Sequence, residues 1–166
     1  MAQLNPRIEA KLKQIPAVAV DAARAAMEEG AKEVVSLMRA SVKEKTGKLR
    51  NSINWTWGDL PPGTFMIDEI RSGQNKGDQY ATLRIKIYAG SREAFYARFI
   101  EFGTRPHSLQ TNASVDRELR QDEGVMHPGT PAWPFFYPSW KTKKAEFRRL
   151  VQKRVREAIR EAWRNG

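Results

Sequence analysis

The first third of the chain carries an apolar stripe with the period of an α-helix. From Val20 to Met38 the apolar residues recur at spacings of three and four, which places them on one face of a helix reaching about Val42. The polar stretch that follows contains Gly47 and ends the helix. A one-sided helix must bury its apolar face, so the rest of the chain has to supply a layer that packs on it. The stripe consists of Val20, Ala23, Met27, Ala31, Val34 and Met38.

Two prolines mark the start of this helix. Asn5 followed by Pro6 is the pattern of an N-cap with proline at the first helical position. Pro16 predicts a kink or a restart, because proline has no N–H to donate to the preceding turn.

Alternation of apolar and polar residues predicts strands after this helix. The clearest predicted strand runs from Ala81 to Tyr88, with one apolar face and one solvent-exposed face. Residues 53–57 alternate in the same way before the Pro-Pro-Gly break at 61–63, and Phe65 to Ile70 predicts a further strand.

The stretch YARFIEFGTRPH, residues 96–107, predicts a short helix. Its start is expected at a Ser91 cap, with Gly103 as the left-handed C-terminal residue, and Pro106 forbids continuation. We expect the helix to dock by an aromatic face, with Arg98 and Glu101 on the other side. That aromatic face is Phe95, Tyr96, Phe99 and Ile100.

The end of the chain predicts a second long helix, beginning near Pro138. Its apolar stripe should pack on the sheet or on the first helix. The stripe is Phe147, Val151, Val155, Ala158 and Ala162, widened by Leu150, Ile159 and Trp163.

These elements predict an α+β fold in a single domain over residues 1–166. We expect a long N-terminal helix, a small antiparallel β-sheet, a short middle helix and a C-terminal helix packed on the sheet. Extended loops are expected at 58–78 and 105–132.

The net charge of +10 is concentrated at the end of the chain. Residues 141–166 carry 10 basic and 3 acidic side chains. A basic face attracts nucleic acid or acidic protein surfaces, although it can also be a solvated helix face. The side chains expected to face DNA or a partner are Lys153, Arg154, Arg156, Arg160 and Arg164.

The sequence offers no positive signal for catalysis, a metal or a cofactor. There are no cysteines, and neither histidine, His107 or His127, has a metal-ligand spacing. No nucleophile motif or phosphate-binding glycine loop is present. Glu101 stands alone among aromatics and is interpreted as an interaction or capping residue. No apolar run has membrane-spanning length, and the N-terminus lacks a signal-peptide pattern.

Three short motifs give the chain a family resemblance. They are TGKLRNSI at 46–53, YARFIEFGT at 96–104 and PAWPFFYP at 131–138. In order and spacing they resemble the tail-completion, or neck, proteins of long-tailed lambdoid bacteriophages, a family of tail components. The resemblance covers most of the chain from about residue 20, and the combination is more specific than any one motif. The long stretches at 58–78 and 105–130 depart from the family pattern.

The resemblance implies a non-enzymatic virion protein that forms a homo-oligomeric, hexameric ring around the DNA channel where head and tail join. It implies contacts with adjacent connector and tail proteins, and with genomic DNA, after assembly in the host cytoplasm. The residues it marks as motif or interface positions are Thr46, Gly47, Leu49, Ser52, Tyr96, Ala97, Glu101, Phe102, Gly103, Thr104, Pro134, Phe135 and Pro138.

Three alternatives stay open at this point. The chain could form another neck ring, such as a tail terminator or a head-closure protein. It could bind DNA without sequence preference as an isolated protein, with steep salt dependence. The third alternative, a virion enzyme, would need a catalytic constellation that the sequence does not show.

Overall fold

The computed structural model describes residues 6–43, 47–71, 83–108 and 126–165. At residues 6–7 and 65–71 it describes the backbone alone. Within these ranges the chain forms four helices and five strands. In chain order they are α1 (Pro6–Ser41), α2 (Lys48–Ser52), β1 (Asn54–Thr56), β2 (Phe65–Arg71), β3 (Arg84–Ala89), α3 (Ala97–Phe102), β4 (His107–Ser108), β5 (Met126–His127) and α4 (Phe136–Asn165).

Helix α1 is continuous over 36 residues and ends one residue before the predicted Val42. Pro16 does not divide it, contrary to the predicted restart. Pro16 is exposed, so water can satisfy the carbonyl group that its missing N–H leaves free. The predicted cap, Asn5, lies outside the described residues.

The predicted stripe of α1 lines the core. Met27, Ala31, Val34 and Met38 are buried, and Ala23 and Val20 continue the stripe toward the N-terminus. The same core takes in buried side chains from the strands and from the start of α4. The periodicity of the sequence therefore located the buried face of α1 correctly.

Helix α4 packs along α1, which is its most extensive contact. Gly30 lies under the ring of Phe147, where a β-carbon at Gly30 would overlap the ring atoms. The ring of Trp140 stands perpendicular to that of Phe147, at 6.3 Å between centroids. The absence of a side chain at Gly30 therefore lets the two helices come close together.

Charged pairs border this helix pair. Arg154 Nη2 lies 3.3 Å from Glu29 Oε2, and Lys143 Nζ lies 3.6 Å from Glu33 Oε2. A hydrogen bond to Glu146 raises the pKa of Lys143 above its ordinary value, helped by the nearby charge of Glu33. These pairs are solvated, so they orient α4 more than they stabilise it.

Of the two partners predicted for the stripe of α4, the sheet and the first helix, the first helix is the one observed, so the expected packing on the sheet is corrected; the α+β class is confirmed. The physical reason is length. Helix α1 offers its stripe over many turns, while β1 has 3 residues and β3 has 6. A 30-residue helix finds a matching apolar strip on α1.

The main sheet is antiparallel, with strand order β1-β3-β2. Trp55 of β1 lies opposite Ile87 of β3, and Arg71 of β2 lies opposite Arg84, with a bulge between Met66 and Asp68. The predicted alternation along β3 is confirmed for residues 83–88; residues 81–82 lie outside the described part. The buried positions on and next to β3 are Leu83, Ile85, Ile87 and Ala89.

Both predicted loops contain strands in their described parts. Strand β2 occupies 65–71, which confirms the strand predicted at 65–70, inside the stretch 58–78 that was predicted as an extended loop. In the predicted loop 105–132, β4 pairs antiparallel with β5, and Thr104 forms a bridge with Thr130. Residues 72–82 and 109–125 lie outside the described residues.

Candidate functional site

The second and third sequence motifs meet at the start of α4. Glu101, on α3, is 2% exposed and accepts hydrogen bonds from three consecutive backbone N–H groups. Its Oε2 accepts from Phe135 at 2.8 Å and from Phe136 at 2.9 Å, and its Oε1 accepts from Tyr137 at 2.9 Å. One carboxylate thus joins two segments more than thirty residues apart in sequence.

This carboxylate completes the N-terminus of α4. The first four N–H groups of a helix have no partner within the helix. Here three of them, from 135 to 137, bond to Glu101, and the fourth position is Pro138, which has no N–H. A negative charge is also favourable at the positive end of the helix dipole. The start of α4 is therefore satisfied within the chain.

Two expectations about Glu101 are decided by these bonds. It is a capping residue, although the helix it caps is α4 and not its own. The other interpretation of Glu101, as a residue that interacts with a partner, does not fit a side chain that is 2% exposed and has both carboxylate oxygens hydrogen-bonded within the chain. Helix α4 also begins at Phe136, two residues before the predicted start.

Backbone contacts lock the same junction from the other side. Thr104 and Thr130 exchange backbone hydrogen bonds at 2.9 and 3.1 Å, and the N–H of Trp133 donates to the carbonyl of Ile100 at 2.7 Å. The hydroxyl of Thr104 accepts a further bond from the Thr130 N–H at 2.9 Å. The segment after α3 is therefore held against the segment before α4.

Gly103 allows this close approach. Its φ is 71° and its ψ is 179°, a region that glycine alone enters readily. The predicted positive φ is confirmed, but the extended ψ differs from the left-handed helical conformation that was expected. A β-carbon at Gly103 would lie 2.6 Å from the carbonyl oxygen of Thr130.

The first motif forms a separate corner beside the sheet. Gly47 has φ 71° and precedes α2, and Leu49 is buried. The hydroxyl of Ser52 donates to the Leu49 carbonyl at 2.7 Å and accepts the N–H of Gly90 at 3.1 Å. Thr46 lies outside the described residues. These motif positions hold α2 against the end of β3.

The carbonyl of Ile53 anchors this corner to α1. The guanidinium of Arg39 donates to it from Nε at 3.1 Å and from Nη2 at 2.8 Å. Ile53 is fully buried, so the bond satisfies a carbonyl that follows directly on α2.

The face by which helix α3 docks differs from the predicted one. Its buried residues are Ala97 and Glu101, spaced by four. Phe95 is 69% exposed and Phe99 is 47% exposed, so the expected aromatic docking face is wrong for both. Tyr96 is half-buried and packs on the core, as expected. The small Ala97 brings α3 close to the core, and Glu101 gains three hydrogen bonds there, which offsets the cost of burying its charge.

The start of α3 also differs from expectation. The helix begins at Ala97 without a side-chain cap. Ser91 instead closes the turn before it, accepting the N–H of Ala94 at 3.1 Å.

The displaced aromatics form an exposed cluster that we call the aromatic patch. The ring of Phe102 lies 5.8 Å from that of Tyr137, which links α3 to the first turn of α4. A spacing of three puts Phe99 and Phe102 on one side of α3, and Phe95 lies in the turn before it. The patch consists of Phe95, Phe99, Phe102 and Tyr137, with exposed fractions from 45% to 69%.

The remaining residues of the third motif differ in burial. Phe135 is fully buried, whereas Pro134 and Pro138 are exposed. Trp133 is partly exposed, with Lys43 Nζ 3.5 Å from the centre of its ring. The motif therefore has a buried part that joins the core and an exposed part that faces outward.

The basic residues predicted on α4 are all exposed, but their surroundings differ. Arg154 bonds to Glu29 of α1, and Lys153 lies 3.9 Å from Glu157. Arg156, Arg160 and Arg164 have no ion pair within the described part of the chain.

The two histidines are neighbours across the β4–β5 ladder. Their rings stack, with 5.0 Å between centroids and 25° between planes. Nδ1 of His127 accepts the N–H of Gly129 at 3.0 Å. Among the described residues no group of three or more potential metal ligands is found. In the same ranges, no helix is both long and apolar enough to cross a membrane.

Comparison with known proteins gives one family match. The family described as "Bacteriophage HK97-gp10, putative tail-component" matches residues 6–103, which is more than half of the chain. The matched region runs from α1 to Gly103, so it contains the first motif and all of the second except Thr104, but not the third motif or α4. Comparisons with curated proteins and with solved structures find no match. The chain belongs to the HK97-gp10-like family of bacteriophage tail components.

Proposed function

We propose that this protein is a structural, non-enzymatic subunit of the phage neck. In this proposal six copies of the chain form a closed ring around the DNA channel where head and tail join. The ring contacts the adjacent connector and tail proteins, and the protein reaches the virion after assembly in the host cytoplasm. The chain acts as one domain. Family membership supports the tail assignment.

The observation that best supports assembly into a ring is the aromatic patch. Large aromatic side chains at the centre of a surface patch are typical of protein–protein interfaces, where they supply most of the binding free energy. Here all four members are at least 45% exposed, and the rings of Phe102 and Tyr137 lie 5.8 Å apart. In the proposed ring, each patch contacts the next copy of the chain.

The rigid junction beneath the patch supports the same proposal. Glu101 and Gly103 fix α3 against the start of α4, so Phe102 and Tyr137 hold one relative position. A preformed patch loses little conformational entropy on binding, and this favours association.

Imaging of particles tests the position of the ring. A small epitope inserted after Asn165, detected by labelled antibody fragments, should appear at the head–tail joint. As a control, the same epitope on a major tail protein should label the whole tail. Label at the tail tip, or absence of the protein from purified particles, would contradict the proposal.

Two alternatives correspond to other outcomes of that imaging. A tail terminator would be labelled on the tail side of the joint, and a head-closure protein on the head side. A third alternative, a DNA-binding protein that acts alone, is favoured by the exposed arginines of α4. It would bind duplex DNA but would be missing from particles.

A further inference from the structure

The outer face of α4 carries a line of arginines that points away from the core. The helix packs on α1 through Phe147, Val151 and Val155. Positions 149, 156, 160 and 164 fall on the opposite side of the helix, because their spacings of seven, four and four are close to whole turns. Together they span about a quarter of the helix circumference. We call this line the arginine stripe. It consists of Arg149, Arg156, Arg160 and Arg164, all exposed.

The charge of the arginine stripe is uncompensated. Within the described part of the chain, none of its four members forms an ion pair. The neighbouring basic residues behave differently, since Lys153 approaches Glu157 at 3.9 Å and Arg154 bonds to Glu29. The stripe therefore presents four positive charges along the helix, and the acid beside it, Glu157, is paired with Lys153.

We propose that the arginine stripe binds the phosphate backbone of double-stranded DNA without reading its sequence. The proposal rests on the neck position proposed above, where the genome passes the ring. The stripe extends over about 22 Å of helix, at about 1.5 Å per residue, which is long enough to meet several phosphates of a duplex. Phosphate contacts of this kind carry no sequence information.

The residue type favours phosphate over an acidic protein surface. Four of the five basic residues on this side of α4 are arginines, the fifth being Lys153. The planar guanidinium group of arginine forms paired hydrogen bonds with phosphate oxygens. Lysine would serve equally well if the charge only kept the protein in solution. A protein interface would also need an apolar centre with charge at its rim. The centre of the stripe borders a shallow hollow of about 290 Å³ that is lined by polar and charged residues, whereas Ile159 and Trp163 form an apolar hollow at its C-terminal end, beside Arg160 and Arg164.

The test measures binding of the purified full-length protein to a fluorescent duplex of arbitrary sequence over a range of salt concentrations. The variant carries Arg156→Gln, Arg160→Gln and Arg164→Gln. The matched control carries Arg92→Gln, Arg98→Gln and Arg105→Gln, which are exposed arginines outside α4. Both variants lose the same net charge, so a difference between them reports on position and not on total charge.

The wild-type protein should bind duplexes of different sequence equally. Loss of three phosphate contacts should make the plot of log affinity against log salt shallower by about 2.7, since each contact contributes about 0.9. Between about 50 and about 200 mM salt, the wild-type protein should therefore lose about 40-fold more affinity than the stripe variant. The control variant should keep the wild-type slope.

Several results would overturn the proposal. The proposal fails if the wild-type protein does not bind the duplex, or if the stripe variant keeps the wild-type slope of log affinity against log salt. It also fails if the control variant loses as much of that slope as the stripe variant does. Binding to poly-L-glutamate of matched charge that is as tight as binding to DNA would assign the stripe to an acidic protein surface. If the triple variant does not fold, as judged by circular dichroism, Arg160→Gln alone should change the slope by about 0.9. Particle imaging is independent of these results, so failure of DNA binding leaves the neck position standing.

Discussion

At the scale of single residues, the fold depends on two positions in the segment EFGT. Glu101 is a buried acid that is fully used within the chain, and Gly103 holds a backbone conformation that other residues avoid. Both connect α3 to the start of α4. Each can be tested by one substitution, because the neighbouring groups that they serve are known.

Replacing Glu101 with alanine should destabilise the protein by about 3 kcal/mol. Three N–H groups at the start of α4 would lose their acceptor in a buried setting, and each buried unsatisfied group costs about 1 to 3 kcal/mol before relaxation. Glu101→Gln should lie between the wild type and Glu101→Ala, because one oxygen remains. Urea unfolding followed by circular dichroism measures these differences.

Glu93→Ala is the control for this prediction. Glu93 is an exposed acid near α3 whose carboxylate pairs with Lys48 at 3.2 Å. Its loss should change stability by less than about 1 kcal/mol, as is usual for solvated pairs. If Glu101→Ala were no more destabilising than this control, the capping role of Glu101 would be rejected.

Gly103→Ala should destabilise the protein by about 2 kcal/mol or more. The new β-carbon would face the Thr130 carbonyl at 2.6 Å, and a non-glycine residue in this backbone region is strained by about 1 to 3 kcal/mol. Gly58→Ala is the matched control, since a β-carbon there meets nothing within 4 Å. Thermal unfolding of both variants checks the prediction, and equal midpoints would show that the site tolerates a side chain.

At the scale of elements, the contact between α1 and α4 organises the molecule. This contact joins the two longest helices. At residue 30 of α1, a glycine, the ring of Phe147 from α4 occupies the space that a side chain would fill. Glycine lowers helix stability by about 1 kcal/mol relative to alanine. Its position inside α1 is explained by the ring that occupies the space of its side chain.

Gly30→Ala should therefore destabilise the protein although it improves helix propensity. Overpacking against Phe147 costs about 1 to 3 kcal/mol, against a propensity gain of about 1 kcal/mol. In a background with Phe147→Leu, the same substitution should be neutral or stabilising. A double-mutant cycle from urea unfolding measures this coupling. A coupling of zero would mean that the ring of Phe147 does not limit the space at Gly30.

At the scale of the whole molecule, two surfaces face outward with different chemistry. The aromatic patch lies where α3 meets α4, and the arginine stripe follows the outer face of α4. In the proposed ring the first binds the next subunit and the second faces the genome. Substitutions on either surface should leave folding intact, because the core cluster includes none of their residues.

Phe99→Ser together with Phe102→Ser should abolish ring formation without unfolding the subunit. Both side chains are about half exposed, so their removal costs little in the isolated chain but removes apolar area from the interface. Light scattering of the purified protein and recovery of the subunit in particles measure the effect.

Leu12→Ser is the control for the patch, because Leu12 is 48% exposed and lies outside it. This variant should assemble normally. Normal assembly of the Phe99 and Phe102 double variant would show that copies of the chain meet through another surface.

The sequence by itself determined the elements whose pattern is local. Spacings of three and four located the buried face of α1, alternation located β3, and Gly103 was identified as a position of positive φ. The three motifs also pointed to the tail-component family that the comparison confirms. These signals depend on residues within one or two turns of each other, so they can be read without knowing what lies across the core.

Only the tertiary structure decided which side of α3 is buried and where α4 packs. By hydrophobicity alone, Phe95 and Phe99 should be inside and Glu101 outside, yet the reverse is found. The reason is the set of N–H groups at 135–137, which gives the buried carboxylate its three partners. Those groups are more than thirty residues away, and they meet Glu101 only once α4 lies along α1. No periodicity within the short helix carries that information, because the energy that selects its face comes from the start of another helix.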